Sequence, residues 1–418
     1  MSPPEGSPAI YPTPTAASYG PMLDASELVT VDAPAATTAL LAELATERAI
    51  PLGAEAATGR RQARLTVSID KAAYKTQAYR LEVTAGDDGP TVSVRAGDEA
   101  GAYYGLLSLA QLVDTTGATM RMRAATIDDA PGFTRRGAIL DPAPTTGVST
   151  PESRTELLDR VRFGVQYKLN FVDLPRTPWP ELVRYCEDHF VELMFAFGYR
   201  DALTTDPRQR SKDILAAQLD AGARSISLAW DDIPTTDPEA LAKRHAEVFG
   251  DLYAFLRSRD PGVRVSTVLP PYGGIPGERL VGSEAGEGER YLALMKAALP
   301  DDVRVFWTGD GGVFSARVTT AGAQQYADAI GHEIALWDND AIRFSQGRLP
   351  CSGRAADLAT VVPTYMGNLV GDSLWSGTNG EFALLTSLFY TWNPVAYDAA
   401  AGGAAAEQIL AIRGGAAG

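Results

Sequence analysis

KLNFVDLP (168–175), VELMFAFG (191–198) and SISLAWDDI (225–233) are short apolar runs, each followed by a longer stretch with helical periodicity. A run of this length bounded by polar or Gly/Pro residues reads as a strand buried on both faces, the kind found in parallel sheets. The same unit recurs on either side. RRGAILD (135–141) precedes the three, and RVSTVLPP (264–271), VRVFWTGD (303–310), EIALWDN (333–339) and NLVGDSLW (368–375) follow. Between them lie amphipathic stretches such as RTELLDRVRFGVQY, PEALAKRHAEVFGDLYAFLRSR and TTAGAQQYADAIG. Eight strand–helix units in about 265 residues predict a (β/α)8 TIM barrel. An open doubly wound sheet is the alternative, but no G-x-G-x-x-G follows the first strand.

Upstream, the pattern is mixed: ELVTVD (27–32), RLTVSID (64–70), AYRLEVTA (78–85) and TVSVRA (91–96) read as strands, and 35–48 and 98–113 as helices. This predicts a small α+β N-terminal domain over 9–125, preceded by a disordered tail at 1–8. RMRAATIDDAPGFTRRG (121–137) reads as the crossover to the (β/α)8 barrel at 126–402, and 403–418 as a C-terminal tail. In the second helix Ala102, Leu106, Leu107, Ala110 and Val113 recur at helical spacing, so Tyr103 and Tyr104 are expected to pack it on its sheet.

Composition narrows the function. The 418 residues carry 37 Lys and Arg against 52 Asp and Glu, a net charge of −15. Such a chain has no general attraction for nucleic acid or an anionic membrane. Two cysteines, Cys186 and Cys351, are too few for a disulfide scaffold. The start lacks a secretory pattern and no 18-residue apolar run occurs, so a soluble, cytoplasmic protein is expected. The three histidines, His189, His245 and His332, have no metal-binding spacing. There is no G-x-S-x-G elbow or P-loop. Chemistry must rest on carboxylates, amides and hydroxyls.

In a TIM barrel those groups sit at the carboxyl ends of the strands. The ends here are Asp141, Asp173 with Arg176, Tyr199, Asp231–Asp232, Tyr272, Thr308 with Asp310, Asp338–Asn339, and Asp372 with Trp375. Taken singly, each acidic residue is more ordinarily a turn former or helix cap. The Gly-rich GDGG (309–312) and GGIPG (273–277) read as βα-loops rather than phosphate cradles, and Trp307 and Trp375 fit core packing at least as well as sugar stacking. Asp231 and Asp232 stand out. Adjacent carboxylates after an apolar strand repel unless one is protonated or held by a donor. Two neighbours cannot flank a glycosidic bond from opposite faces, but a 2-acetamido group acting as nucleophile removes that requirement.

SISLAWDDI, VFWTGD (305–310), LWDN (336–339) and YTWNPVAYD (390–398) resemble glycoside hydrolase family 84, the retaining β-N-acetylglucosaminidases that include O-GlcNAcases. AYRLEV with TVSVRAGDEAGAYYGLLSLAQLV resembles the small domain that precedes such barrels. The resemblance spans about residues 9–400 and implies a hexosaminidase that needs no metal or organic cofactor. Asp231 then matches the carboxylate that polarises the acetamido N–H, and Asp232 the general acid/base. Tyr272 matches the donor to the acetamido oxygen, and Thr308, Trp337 and Asn339 match pocket residues around the N-acetyl group and the acid.

The sequence also departs from the family. Its E-G-F-Y-G after the first strand is LDPAPTTG (140–147) here, and Gly137 is counted among the sugar-binding residues. Arg176 corresponds in part to a family Lys. A sugar-binding Asp becomes Phe344, and a later Asn becomes Asp372. These changes imply an altered amino sugar, and the short end after the barrel suits a small soluble or specialised-metabolite glycoside as partner. Two alternatives stay open: a non-catalytic carbohydrate-binding pseudoenzyme, and a biosynthetic trimming or transfer enzyme using the same site. The sequence assigns no oligomeric state.

Overall fold

The computed structural model describes residues 10–54, 61–140, 150–198, 208–231, 233, 237–274 and 286–416. It divides into two compact units, one running to Gly132 and including Gln166–Lys168, the other holding the remainder.

The first unit is a mixed sheet with two helices. Its strands are β1 (Ala16–Ala25), β2 (Glu27–Asp32), β3 (Gln62–Ile69), β4 (Tyr79–Thr84), β5 (Thr91–Ala96), β6 (Val113–Asp114) and β7 (Met120–Asp129). Their order is β1-β7-β4-β5-β3-β2, with β6 on β7. Leu65 and Val67 of β3 and Val92 and Val94 of β5 turn to the buried face, while their neighbours face outward, as the two-residue strand period requires. Helix α1 spans Ala35–Glu47 and α2 spans Glu99–Leu112. Asp98 caps α2, accepting from the Gly101 amide at 2.8 Å. Gly105 lets α2 approach β5, since a Cβ there would lie 2.6 Å from Val94 Cγ1. Tyr103 and Tyr104 are buried, as expected of packing residues.

The sequence reading places the boundary too early. The segment taken as a crossover is β7, which pairs with β1, β4 and β6, so the division falls at Gly132–Phe133 and not at 125–126. Arg121 and Arg123 disguise it: they are the half-exposed neighbours of buried Met120 and Met122, and the buried phase then shifts by one residue to Ala125 and Ile127.

The second unit is a closed barrel of eight parallel strands in sequential order. They are β8 (Arg135–Ile139), β9 (Phe171–Leu174), β10 (Glu192–Gly198), β11 (Ser225–Ala229), β12 (Arg264–Val268), β13 (Arg304–Trp307), β14 (Ile334–Asp338) and β15 (Thr364–Asn368). The intervening helices are α3 (Pro151–Val165), α4 (Pro180–Asp188), α5 (Arg208–Asp220), α6 (Pro238–Arg259), α7 (Glu287–Ala298), α8 (Thr320–Ile330) and α9 (Asp340–Gly347), with α10 (Asn379–Trp392) and α11 (Ala399–Ala416) after β15. Two expectations shift. The eighth strand is TYMGN at 364–368, not NLVGDSLW, because Gly371 at φ +110° turns the chain into a short 3-10 turn at Asp372–Trp375. The supposed tail at 403–418 lies largely within α11, an Ala-rich helix that buries Ala405, Ala406 and Leu410.

Alternation fixes which side chains fill the barrel. Ile139, Phe171, Met194, Ala229, Val268, Phe306, Ala335 and Met366 form its buried middle. At the amino-terminal end Glu192 binds Arg135 at 2.7 Å and Arg264 at 2.9 Å, and Arg304 lies close by, bonded to Glu333. Burial works against the charge of Glu192, but the three arginines together hold its carboxyl below the usual range. No helix among the described residues is long and apolar enough to cross a membrane.

Candidate active site

One step above the apolar layer, the strand period points Asp173, Ala196, Asp231, Trp337 and Asn368 inward. Ala196, Asp231, Trp337 and Asn368 are half-exposed and Gly198 is exposed, whereas the layer beneath is buried. The carboxyl end of the barrel therefore presents partly exposed residues, several of them polar, above an apolar layer, at the usual place for a TIM-barrel site. Asp173, counted from sequence as a strand end only, is buried in this ring. Among the described residues no group of three His, Cys, Asp or Glu side chains has a metal-binding arrangement.

Tyr272 and Thr308 are brought together. Tyr272 packs with Val268 and Phe306, and its carbonyl accepts from the Thr308 amide at 2.9 Å. The Thr308 hydroxyl donates to the Gly312 carbonyl at 2.6 Å. Gly274 N–H donates to Gly309 at 2.8 Å, and Trp307 Nε1–H to Gly274 at 2.7 Å. A Cβ on Gly273 would lie 2.5 Å from the Gly312 carbonyl carbon. The glycines of both loops thus serve a close loop-to-loop approach. Thr308 is a clip that fixes the backbone of Tyr272, a task its sequence position does not reveal.

Asn339 is also held on both sides. Its Nδ2 donates to the Val313 carbonyl at 2.8 Å, and its Oδ1 accepts from Asn368 Nδ2 at 2.8 Å. Trp337 meets Phe306 edge-on at 6.0 Å, and its buried indole N–H has no acceptor among the described residues. Asn368 is the amide at the end of the eighth strand. Asp372, which the resemblance assigns to the sugar pocket, lies in the following 3-10 turn.

Other strand-end residues turn out to be structural. Asp310 accepts from the Thr319 amide at 2.6 Å and its hydroxyl at 2.9 Å, at the start of α8. Asp338 points away from the interior. It binds Arg354 Nε at 2.8 Å, the Tyr365 hydroxyl at 2.8 Å and the Asp340 amide at 3.0 Å. Burial opposes the charge of Arg354, but Asp338 holds its pKa above the usual value. Burial, reinforced by Asp338, pushes the Tyr365 hydroxyl well up.

Three residues singled out in the sequence do not lie at a strand end. Gly137 lies within β8, where a Cβ would fall 1.6 Å from the Phe171 carbonyl oxygen, so a glycine there serves the close approach of β8 and β9. Phe344 is buried on α9, which starts directly after Asn339, with the Arg354 guanidinium 4.9 Å from the centre of its ring. Asp372 is displaced from the strand end as described. Arg176 is buried at the end of β9, 3.4 Å from Ser153 Oγ. Trp375 is core: its ring lies under Arg160 at 4.1 Å and its Nε1–H donates to Leu369. Trp307 is fully buried. Asp232, Asp141, Tyr199 and residues 141–147 of the first loop lie outside the described residues, as does the side chain of Asp372.

A family model described as beta-N-acetylglucosaminidase matches residues 178–414, more than half of the chain. The chain belongs to the β-N-acetylglucosaminidase family. A second model, glycosyl hydrolase family 20 domain 2, matches residues 7–130 of this glycosidase. Among solved structures, CpGH84B is 22% identical with a TM-score of 0.76, the match covering 96% of this chain and 74% of that one. CpGH84D is 16% identical at TM-score 0.69, covering 96% and 72%. A mutant of the O-GlcNAc hydrolase of Thermobaculum terrenum is 20% identical at TM-score 0.56, covering 67% and 63%. At these identities the structural likeness is one of fold. With the family match it bears out the resemblance read from the motifs: this hexosaminidase-type glycosidase is a divergent member of glycoside hydrolase family 84.

Proposed function

We propose that the enzyme removes a terminal β-linked 2-acetamido sugar by substrate-assisted, retaining catalysis. The observation that carries this reading is the half-exposed Asp231 at the carboxyl end of β11, above an apolar floor. In the proposed reaction the acetamido oxygen attacks the anomeric carbon, while Asp231 accepts the amide N–H. Asp232 donates its proton to the departing glycosidic oxygen. Water, deprotonated by Asp232, then opens the oxazoline with net retention. The negative charge of Asp231 favours a protonated neighbour before reaction, which suits that division of labour. Tyr272 donates to the acetamido oxygen, and Trp337 and Asn339 enclose the N-acetyl group.

A small soluble amino-sugar glycoside is the proposed substrate and the cytoplasm the proposed location. Arg176 and the 140–147 segment, where the sequence departs from the family pattern, are the proposed source of an altered sugar preference. Release of 4-nitrophenol from its β-N-acetylglucosaminide by the wild type and by Asp231→Asn, with the β-glucoside as control, tests the reading. Turnover of the acetamido sugar alone, lost in the variant, is the expected result. Equal turnover of both sugars, or an unimpaired variant, would overturn it.

A further inference from the structure

Val313 and Phe314 lie on the loop joining β13 to α8, at the carboxyl end of the barrel, and are 46% and 38% exposed. They are the only two consecutive large apolar residues so exposed among the described residues. An exposed apolar pair on a loose loop would ordinarily collapse onto the surface, but this loop is pinned along its length. Thr308 holds Gly312, Ser315 Oγ accepts from the Gly311 amide at 2.8 Å, and Asp310 binds Thr319. The Arg343 guanidinium lies 4.6 Å from the centre of the Phe314 ring and is itself paired with Asp340 at 3.2 Å. The loop is continuous with the proposed sugar pocket, since the Val313 carbonyl receives the Asn339 amide. A fixed apolar shelf beside a polar sugar site suits a group joined to the sugar better than the sugar itself.

We propose that Val313 and Phe314 form an aglycone platform that selects 2-acetamido glycosides carrying an aromatic aglycone. The proposal rests on the hexosaminidase reading and names the substrate class for that site. Phe314 is then a specificity residue, stacking the aglycone while the acetamido machinery acts on the sugar.

The test compares phenyl and hexafluoroisopropyl β-N-acetylglucosaminides, whose leaving groups have similar acidity but differ in having a ring. For Phe314→Ala the KM for the phenyl glycoside should rise about five- to tenfold, with the hexafluoroisopropyl glycoside little changed. Thermal denaturation of the variant confirms that it folds. An equal effect on both glycosides, or none on either, would overturn the platform while leaving the hydrolase reading intact. Failure of the wild type to turn over either glycoside would instead sink the hydrolase reading. The platform is then read from binding of phenyl and methyl 1-thio-β-N-acetylglucosaminide by calorimetry. A phenyl preference lost in Phe314→Ala supports it, and no such preference rejects it.

Discussion

The imidazole of His245 lies flat on the indole of Trp230, with 4.7 Å between ring centroids and 12° between planes. Trp230 directly precedes Asp231, so the residue that ends β11 on its outer side is braced by α6. Phe249 meets Trp230 edge-on, and Tyr291 of α7 closes the group through a 2.6 Å hydrogen bond to His245 Nδ1. The position of Asp231 is thereby set by an aromatic stack outside the barrel.

Burial, with a smaller contribution from Arg244, pushes the pKa of His245 down to about 3. Below about pH 6.5 the unfolded chain takes up a proton that folded His245 refuses, so this residue alone removes about 1.4 kcal/mol of stability per pH unit down to about pH 3. His245→Phe should cost about 1–3 kcal/mol at pH 7, because the buried Tyr291 hydroxyl loses its partner. The deficit should shrink as the pH falls from 6.5 to 5. Urea unfolding at several pH values checks this, and a gap independent of pH would contradict it.

Asp232→Ala should lower kcat about 10²–10⁴-fold on alkyl glycosides, whose leaving oxygen must be protonated, and far less on 4-nitrophenyl glycosides. Steady-state kinetics on the two classes decides the matter. An equal loss on both would remove Asp232 from the acid role.

Gly137→Ala should destabilise the barrel by more than about 3 kcal/mol, since the new Cβ collides with the β9 backbone rather than with a movable side chain. Soluble yield and urea unfolding report it. A variant as stable as the wild type but inactive would return Gly137 to the sugar pocket.

Glu192→Gln removes the carboxylate between Arg135, Arg264 and Arg304 at the amino-terminal end of the barrel, and should cost about 1–3 kcal/mol of stability, solvent at Arg135 and Arg264 and the Glu333 partner of Arg304 limiting the loss. Because the folded pKa of Glu192 lies below its ordinary value, the wild-type advantage is present above about pH 4.5 and fades as the pH falls through the folded value. The kcat of the folded variant should be unchanged, because the site lies at the opposite end. A matched loss of activity at full stability would contradict this.

By itself the sequence determined the architecture. Apolar runs buried on both faces and spaced by helical patterns admit few arrangements other than a parallel barrel, and the period is visible without knowing which residues meet. The Asp-Asp pair stands out in the sequence as well, because two adjacent carboxylates follow an apolar strand. Tertiary structure decided which strand-end residues face the interior. Asp338 and Asp310 look as chemical as Asp231 in the sequence, yet one pairs with Arg354 outside the barrel and the other binds Thr319 at the start of α8. Asn368 and Gly137 needed the strand register: it places Asn368 at the end of the eighth strand, and the approach of Phe171 shows why a side chain at 137 would not fit. Local pattern fixes that a strand exists. Its register, and hence the direction of each side chain, is set by partners distant in the chain.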